Sequence, residues 1–143
     1  MKTIICGVDG SPSARAALRV AARLADESGA LLVAVHVLDR LADVGPAPVW
    51  LAANALYEEA PDTPAEARGE VGDVAERLAA VAAEEDAGKI VLGARSRGRS
   101  RAFLRARCAA ELGEVTSVPV LVAPLQMAAR KASPESMIRG GTR

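Results

Sequence analysis

The chain has 143 residues, half of them apolar and one quarter charged, with Trp50, Tyr57 and Phe103 as its aromatic residues. This is the balance of one globular domain with an aliphatic core, and it excludes the disordered class. Eighteen basic residues face eighteen acidic ones, which argues against a general nucleic-acid or membrane-surface binder, and no apolar run approaches the roughly 20 residues of a membrane span.

Met1-Lys2-Thr3 leads directly into a short apolar run, Ile4 to Val8, without a signal-peptide pattern, so a cytoplasmic protein is expected. Cys6, in this run, and Cys108 are too few for a disulfide framework and read as buried thiols in a reducing compartment. The run is too short for a helix and is a candidate strand. Ser11 then caps a helix with Pro12 at its first position. Ala14, Ala17, Leu18, Ala21 and Leu24 share one face, and Gly29 ends it. Leu31 to Leu38 is a second aliphatic run. Behind Gly45-Pro46-Ala47-Pro48, residues 49 to 60 form a candidate helix with Trp50, Ala53 and Tyr57 on one side. Ala65 to Val71, polar and preceded by Pro64, fits an edge strand. Asp73 caps a helix carrying Val74, Leu78, Val81 and Ala82, and Glu84, Glu85 and Asp86 read as its solvated end. Lys89 to Leu92 is a further aliphatic run. Leu104, Cys108, Leu112 and Val115 recur at helical spacing, and Pro119 to Ala123 closes the pattern. Residues 126 to 143 lose it and read as a flexible tail.

Continuous aliphatic runs are strands buried on both faces, and such strands belong to parallel sheets. Their alternation with helices predicts a three-layer α/β domain, an open sheet with helices on both faces. Ligands of such sheets bind beyond the carboxyl ends of the strands, where the strand order reverses. Gly7-Val8-Asp9-Gly10-Ser11 and Gly93-Ala94-Arg95-Ser96-Arg97-Gly98 leave two of the strands, and they line one cleft if those strands are neighbours.

From Arg95 to Arg107, six of thirteen residues are arginine. Like charges about 7 Å apart at a water-like dielectric repel by only about 0.6 kcal/mol per pair, so folding tolerates them. Cations near a helix N-terminus are nevertheless mildly unfavourable, and a phosphate or other anion would relieve them. A solvated basic face, an anion or nucleotide phosphate, and an acidic protein surface all remain open. Nucleic acid is disfavoured, because Phe103 is the only stacking residue nearby. Gly93-x4-Gly98-Arg99-Ser100 comes close to a P-loop but lacks its lysine.

No catalytic machinery is evident. His36 is the only histidine, which excludes a two-histidine metal motif, and it reads as a satisfied core or strand-end residue. Ser11 and Ser96 have no assigned base, the Gly-x-Ser-x-Gly spacing is absent, and Asp9 alone does not make a metal site.

"IICGVDGSPSARAALRVAARLA", "HVLD", "GDVAERLAAVAAEEDAGKIVLGARSRG" and "VPVLVAP", taken together, resemble the universal stress protein family over residues 2 to 124. The resemblance implies a domain over residues 1–125 with five parallel strands in the order 3-2-1-4-5. It also implies a homodimer through the last strand, whose Val120, Leu121 and Val122 would otherwise be an exposed apolar edge. Many members bind ATP or another adenine nucleotide. Their phosphate loop reads Gly, two residues, Gly, nine residues, Gly, then Ser or Thr. Here Gly93 keeps the first position, while Ser96, Ala106 and Arg107 occupy the others. Asp9 matches the acid near the ribose, Val37 the residue whose backbone reads adenine, and Gly7 stays small. The implied contacts are Gly7, Asp9, Val37, Gly93, Arg95, Ser96 and Arg107, with a kept nucleoside half and a rewritten phosphate half. The expectation is a stress-response or signalling module that requires no cofactor and binds ATP, AMP, cyclic AMP or an anion at most weakly. The rivals are an interaction protein whose arginines dock an acidic partner, and a slow nucleotide hydrolase.

Overall fold

The computed structural model describes residues 2–38, 48–94 and 109–124. In chain order these form β1 (Thr3–Gly7), α1 (Pro12–Ser28), β2 (Leu31–Leu38), α2 (Pro48–Glu59), β3 (Ala65–Val71), α3 (Val74–Glu84) and β4 (Ala87–Gly93). A helical stretch at residues 109–115 and β5 (Val120–Ala123) follow. The strands form one five-stranded parallel sheet in the order β3-β2-β1-β4-β5, as expected. Leu104, Cys108, the arginine cluster and the 126–143 tail lie outside the described residues.

Side-chain alternation explains why the inner strands show no polar face. Ile4 and Cys6 of β1, with Leu32 and Ala34 of β2, pack against α1 and α2. Ile5, Val33 and Val35 point the other way, into a second cluster with Leu78 and Val81 of α3 and Leu112. The middle of each inner strand is therefore buried on both faces and apolar, while His36 of β2 and Lys89 of β4 are only partly buried.

The α1 helix begins and ends where its capping residues dictate. Ser11 Oγ accepts the Ala14 N–H at 3.2 Å, and Gly29 closes the helix in the left-handed region at φ 73°. Its inner face is mostly alanine: Ala14, Ala17, Ala21 and Ala25 lie beside Leu18 in the core. On α2, Ala52, Ala55 and Leu56 turn inward. Trp50, Ala53 and Tyr57 do share a side, and it faces outward, with Trp50 60% and Tyr57 78% exposed. Small residues lie on the inward side of both helices, and Arg15 and Arg19 of α1 pair with Glu59 of α2. In the 109–115 stretch Leu112 is buried as expected, but Val115 is 51% exposed. It falls in the last turn, beyond the packed part of the stretch.

The end of α3 is exposed at Glu84 and Asp86, as expected, but it is also paired. Glu84 and Glu85 are not merely solvated: Arg68 of β3 donates to Glu84 at 2.7 Å and to Glu85 at 3.1 Å. The same guanidinium donates to Glu70 at 2.9 Å, and Arg77 of α3 donates to the other oxygen of Glu70 at 2.8 Å. Arg68 and Glu70 are two apart on an edge strand, so both project toward α3. Two carboxylates at a helix C-terminus oppose the helix dipole, and Arg68 offsets them. Asp86 turns the chain into β4 with φ 53°.

Burial pushes the Glu70 carboxyl upward, but hydrogen bonds from Arg77 and Arg68 outweigh it and hold the group below its ordinary value of 4.5. A carboxyl whose folded value is depressed contributes stability above its unfolded value, and that contribution fades as pH falls through the folded one. The domain is therefore expected to lose stability progressively below about pH 4.5. Glu70→Gln should flatten this part of the profile in urea melts at stepped pH. An unchanged acid limb in that variant would show that other groups carry it.

Candidate functional site

The strand order reverses between β1 and β4. The β1 chain runs through α1 on one face to β2, and α3 packs on the opposite face before β4. The sheet opens at this point. The β1–β4 register ends at Cys6 with Val91. On either side pairing continues, Gly7 with Val35 and Gly93 with Ala123. One step further, the Val8 N–H donates to the Val35 carbonyl at 2.8 Å, and the Ala94 N–H donates to the Ala123 carbonyl at 2.9 Å. The chain leaving β1 is thus drawn toward β2, and the chain leaving β4 toward β5. Open parallel sheets hold their ligands at such a divergence of the carboxyl ends.

One wall is the turn after β1. Asp9 Oδ1 accepts the Ser11 N–H at 3.0 Å, a local turn that sets Ser11 up as the cap of α1. Gly10 between them has φ 83°, a left-handed conformation that side chains disfavour. Asp9 thus has a structural task, holding the turn, in addition to any contact with a ligand.

Val37 lies at the same end of the sheet. Alternate residues of a strand direct their N–H and C=O toward the same neighbour. Val35 accepts from Val8, so Val37, two residues on, also faces the β1 side. It does so where the β1 chain has already turned away. Its side chain packs into the α3 cluster, so it is the backbone that is directed toward the β1 side.

Gly7 has a packing reason to be small. A Cβ there would lie 3.1 Å from Leu92 Cδ2 and 3.4 Å from Leu78 Cδ1, so these leucines fill the α3 side of the sheet beside it. Gly93 is buried at the last register position of β4.

The structure therefore brings Gly7, Asp9, Val37 and Gly93 to the carboxyl ends of three adjoining strands. Arg95, Ser96 and Arg107 lie outside the described residues, as does Ala106. Among the described residues, no group of three or more His, Cys, Asp and Glu side chains could hold a metal ion, and no helix is long and apolar enough to cross a membrane. The sequence reads His36 as a satisfied core or strand-end residue, and its Nδ1 lies 2.7 Å from the Val8 carbonyl. Its place beside the site was missed, because the contact spans 28 positions and leaves no local signal.

The family model described as the universal stress protein family matches residues 1–124. The chain belongs to this family. No curated protein sequence matches it. Among solved structures, a universal stress protein in complex with cAMP is 24% identical, with a TM-score of 0.70 over 87% of this chain and 97% of that one. A universal stress family protein from Burkholderia pseudomallei is 29% identical, with a TM-score of 0.58 over 86% of this chain and 96% of the other. The universal stress protein from Archaeoglobus fulgidus in complex with dAMP is 20% identical, with a TM-score of 0.63 over 85% and 97%. These likenesses extend the shared fold across nearly the whole of each neighbour.

Proposed function

We propose that this universal stress protein is a stress-response or signalling module that binds an adenine nucleotide weakly in the crevice between β1 and β4. What supports the reading is the early end of the β1–β4 register at Cys6 and Val91, with the Asp9 turn following β1, Gly93 closing β4 and the Val37 backbone directed toward the β1 side. The cAMP and dAMP complexes of the two neighbours support an adenine nucleotide as the ligand class. In this reading Asp9 takes the ribose hydroxyls, the Val37 backbone reads the adenine edge, and Gly93 admits the chain close to the phosphate. Ser96 and Ala106 then stand where the usual loop has glycines and Arg107 where it has a hydroxyl, and with Arg95 nearby the loop favours charge over close backbone contact.

Calorimetric titration with AMP, cAMP and ATP tests it. Dissociation constants on the order of 10–500 μM are expected, about 5–7 kcal/mol of binding. Heats equal to buffer at millimolar nucleotide would remove the reading while leaving the fold. The module is a binder rather than a hydrolase, so ATP incubated with it should release phosphate no faster than in buffer.

The proposal extends to a homodimer through β5. Leu121 and Val122 on this edge strand are 37% and 41% exposed, an apolar edge that calls for pairing. Light scattering should give about twice 14.7 kDa, and a clean 14.7 kDa species would count against strand pairing.

A further inference from the structure

Resting on the nucleotide reading above, we infer that His36 is the positioning residue of the site, ending the β1–β2 ladder one step early so that the Val37 backbone stays open to a ligand. In a parallel ladder, a residue's carbonyl accepts from the residue after its partner, and its N–H donates to the residue before it. Gly7 pairs with Val35, and Val35 accepts from Val8, in agreement with this rule. The next step would bring the Val37 N–H onto the Val8 carbonyl. Among the described residues that bond is not formed. The carbonyl instead meets His36 Nδ1 at 2.7 Å.

A carbonyl only accepts, so Nδ1 carries the proton in this contact. The ring thereby takes an acceptor that the backbone of its own neighbour would otherwise use. Two consequences follow at once. Val8 is held at both its N–H, by Val35, and its C=O, by His36, which fixes where the chain turns into Asp9. Val37 keeps a polar edge facing the crevice, and a base edge carrying one donor and one acceptor can satisfy it.

Amide hydrogen exchange reads the ladder directly, and titration with AMP reads the site. His36→Phe keeps a ring and removes the donor. Its Val37 amide is expected to exchange at least about fivefold more slowly than wild type, because the freed Val8 carbonyl now accepts it. AMP affinity should fall by about fivefold or more. A merely structural role predicts the opposite sign at Val37, since a loosened strand exchanges faster. His36→Asn places an amide N–H where Nδ1 stood and should restore both values to within about twofold. An unchanged or faster Val37 amide in a folded His36→Phe protein overturns the inference, whatever AMP does. If His36→Phe does not fold, nitrogen NMR of the wild-type ring decides: a proton on Nδ1 is expected, and an Nε2-protonated tautomer overturns it. If wild type shows no AMP heat while Val37 slows in His36→Phe, the nucleotide reading fails and the ladder-ending role of His36 stands.

Discussion

Asp9→Ala is expected to abolish measurable AMP binding and to lower the stability of the domain by about 1 kcal/mol. The two losses have different origins. The stability loss comes from the Ser11 N–H, which loses its acceptor at 3.0 Å, so the cap of α1 is no longer held in place. The binding loss comes from the removed carboxylate at the wall of the crevice. Asp9→Asn separates them, because an amide oxygen still accepts from Ser11 while the charge is gone. Thermal melts should place Asp9→Asn near wild type and Asp9→Ala below it. Titration should show both variants weakened, with Asn retaining part of the affinity. Full AMP affinity in Asp9→Asn would mean that the charge does not contact the ligand. Full affinity in Asp9→Ala would remove Asp9 from the site.

Leu78→Ala is expected to be the more damaging change to the fold. Leu78 is fully buried on α3 and packs beside Gly7, between the helix and the end of β1. Truncation of such a side chain loses its transfer energy and leaves a cavity, about 2–5 kcal/mol in all. Whole-domain stabilities are typically about 5–15 kcal/mol, so a large share of the margin would go. A fall in melting temperature of roughly 5–15 °C follows for a domain of this size. Leu78→Met, close in volume, should cost less than about 1.5 kcal/mol. Urea midpoints with unchanged slopes would check both values. A loss below 1 kcal/mol for the alanine variant would show that α3 closes over the space.

The capping residues announced the helices because caps act within a few positions. Ser11, Pro12 and Gly29 bound α1, and Asp73 begins α3, where the sequence alone placed them. The end of α3 was legible only in part, for the complementary reason. Glu84 and Glu85 look solvated in isolation, and Arg68 is sixteen or seventeen residues away in sequence. Only the pairing of β3 at the sheet edge brings its guanidinium onto them. The side of α2 that carries Trp50 and Tyr57 was recognised as one face, yet which face turns inward depended on the alanines opposite and on the packing of α1.

Sequence by itself determined the layers of this protein and the order of its elements along the chain. Aliphatic runs can be satisfied only by burial on both faces, and residues at helical spacing only by packing one side. The tertiary structure decided where the sheet opens. Every peptide group offers the same N–H and C=O, and His36 meets Val8 across 28 positions, so no local pattern within β1, β2 or β4 marks the point at which their ladders part. That point is set by three strands and one imidazole together: the Cys6–Val91 pair ends one ladder, and His36 takes the carbonyl of Val8.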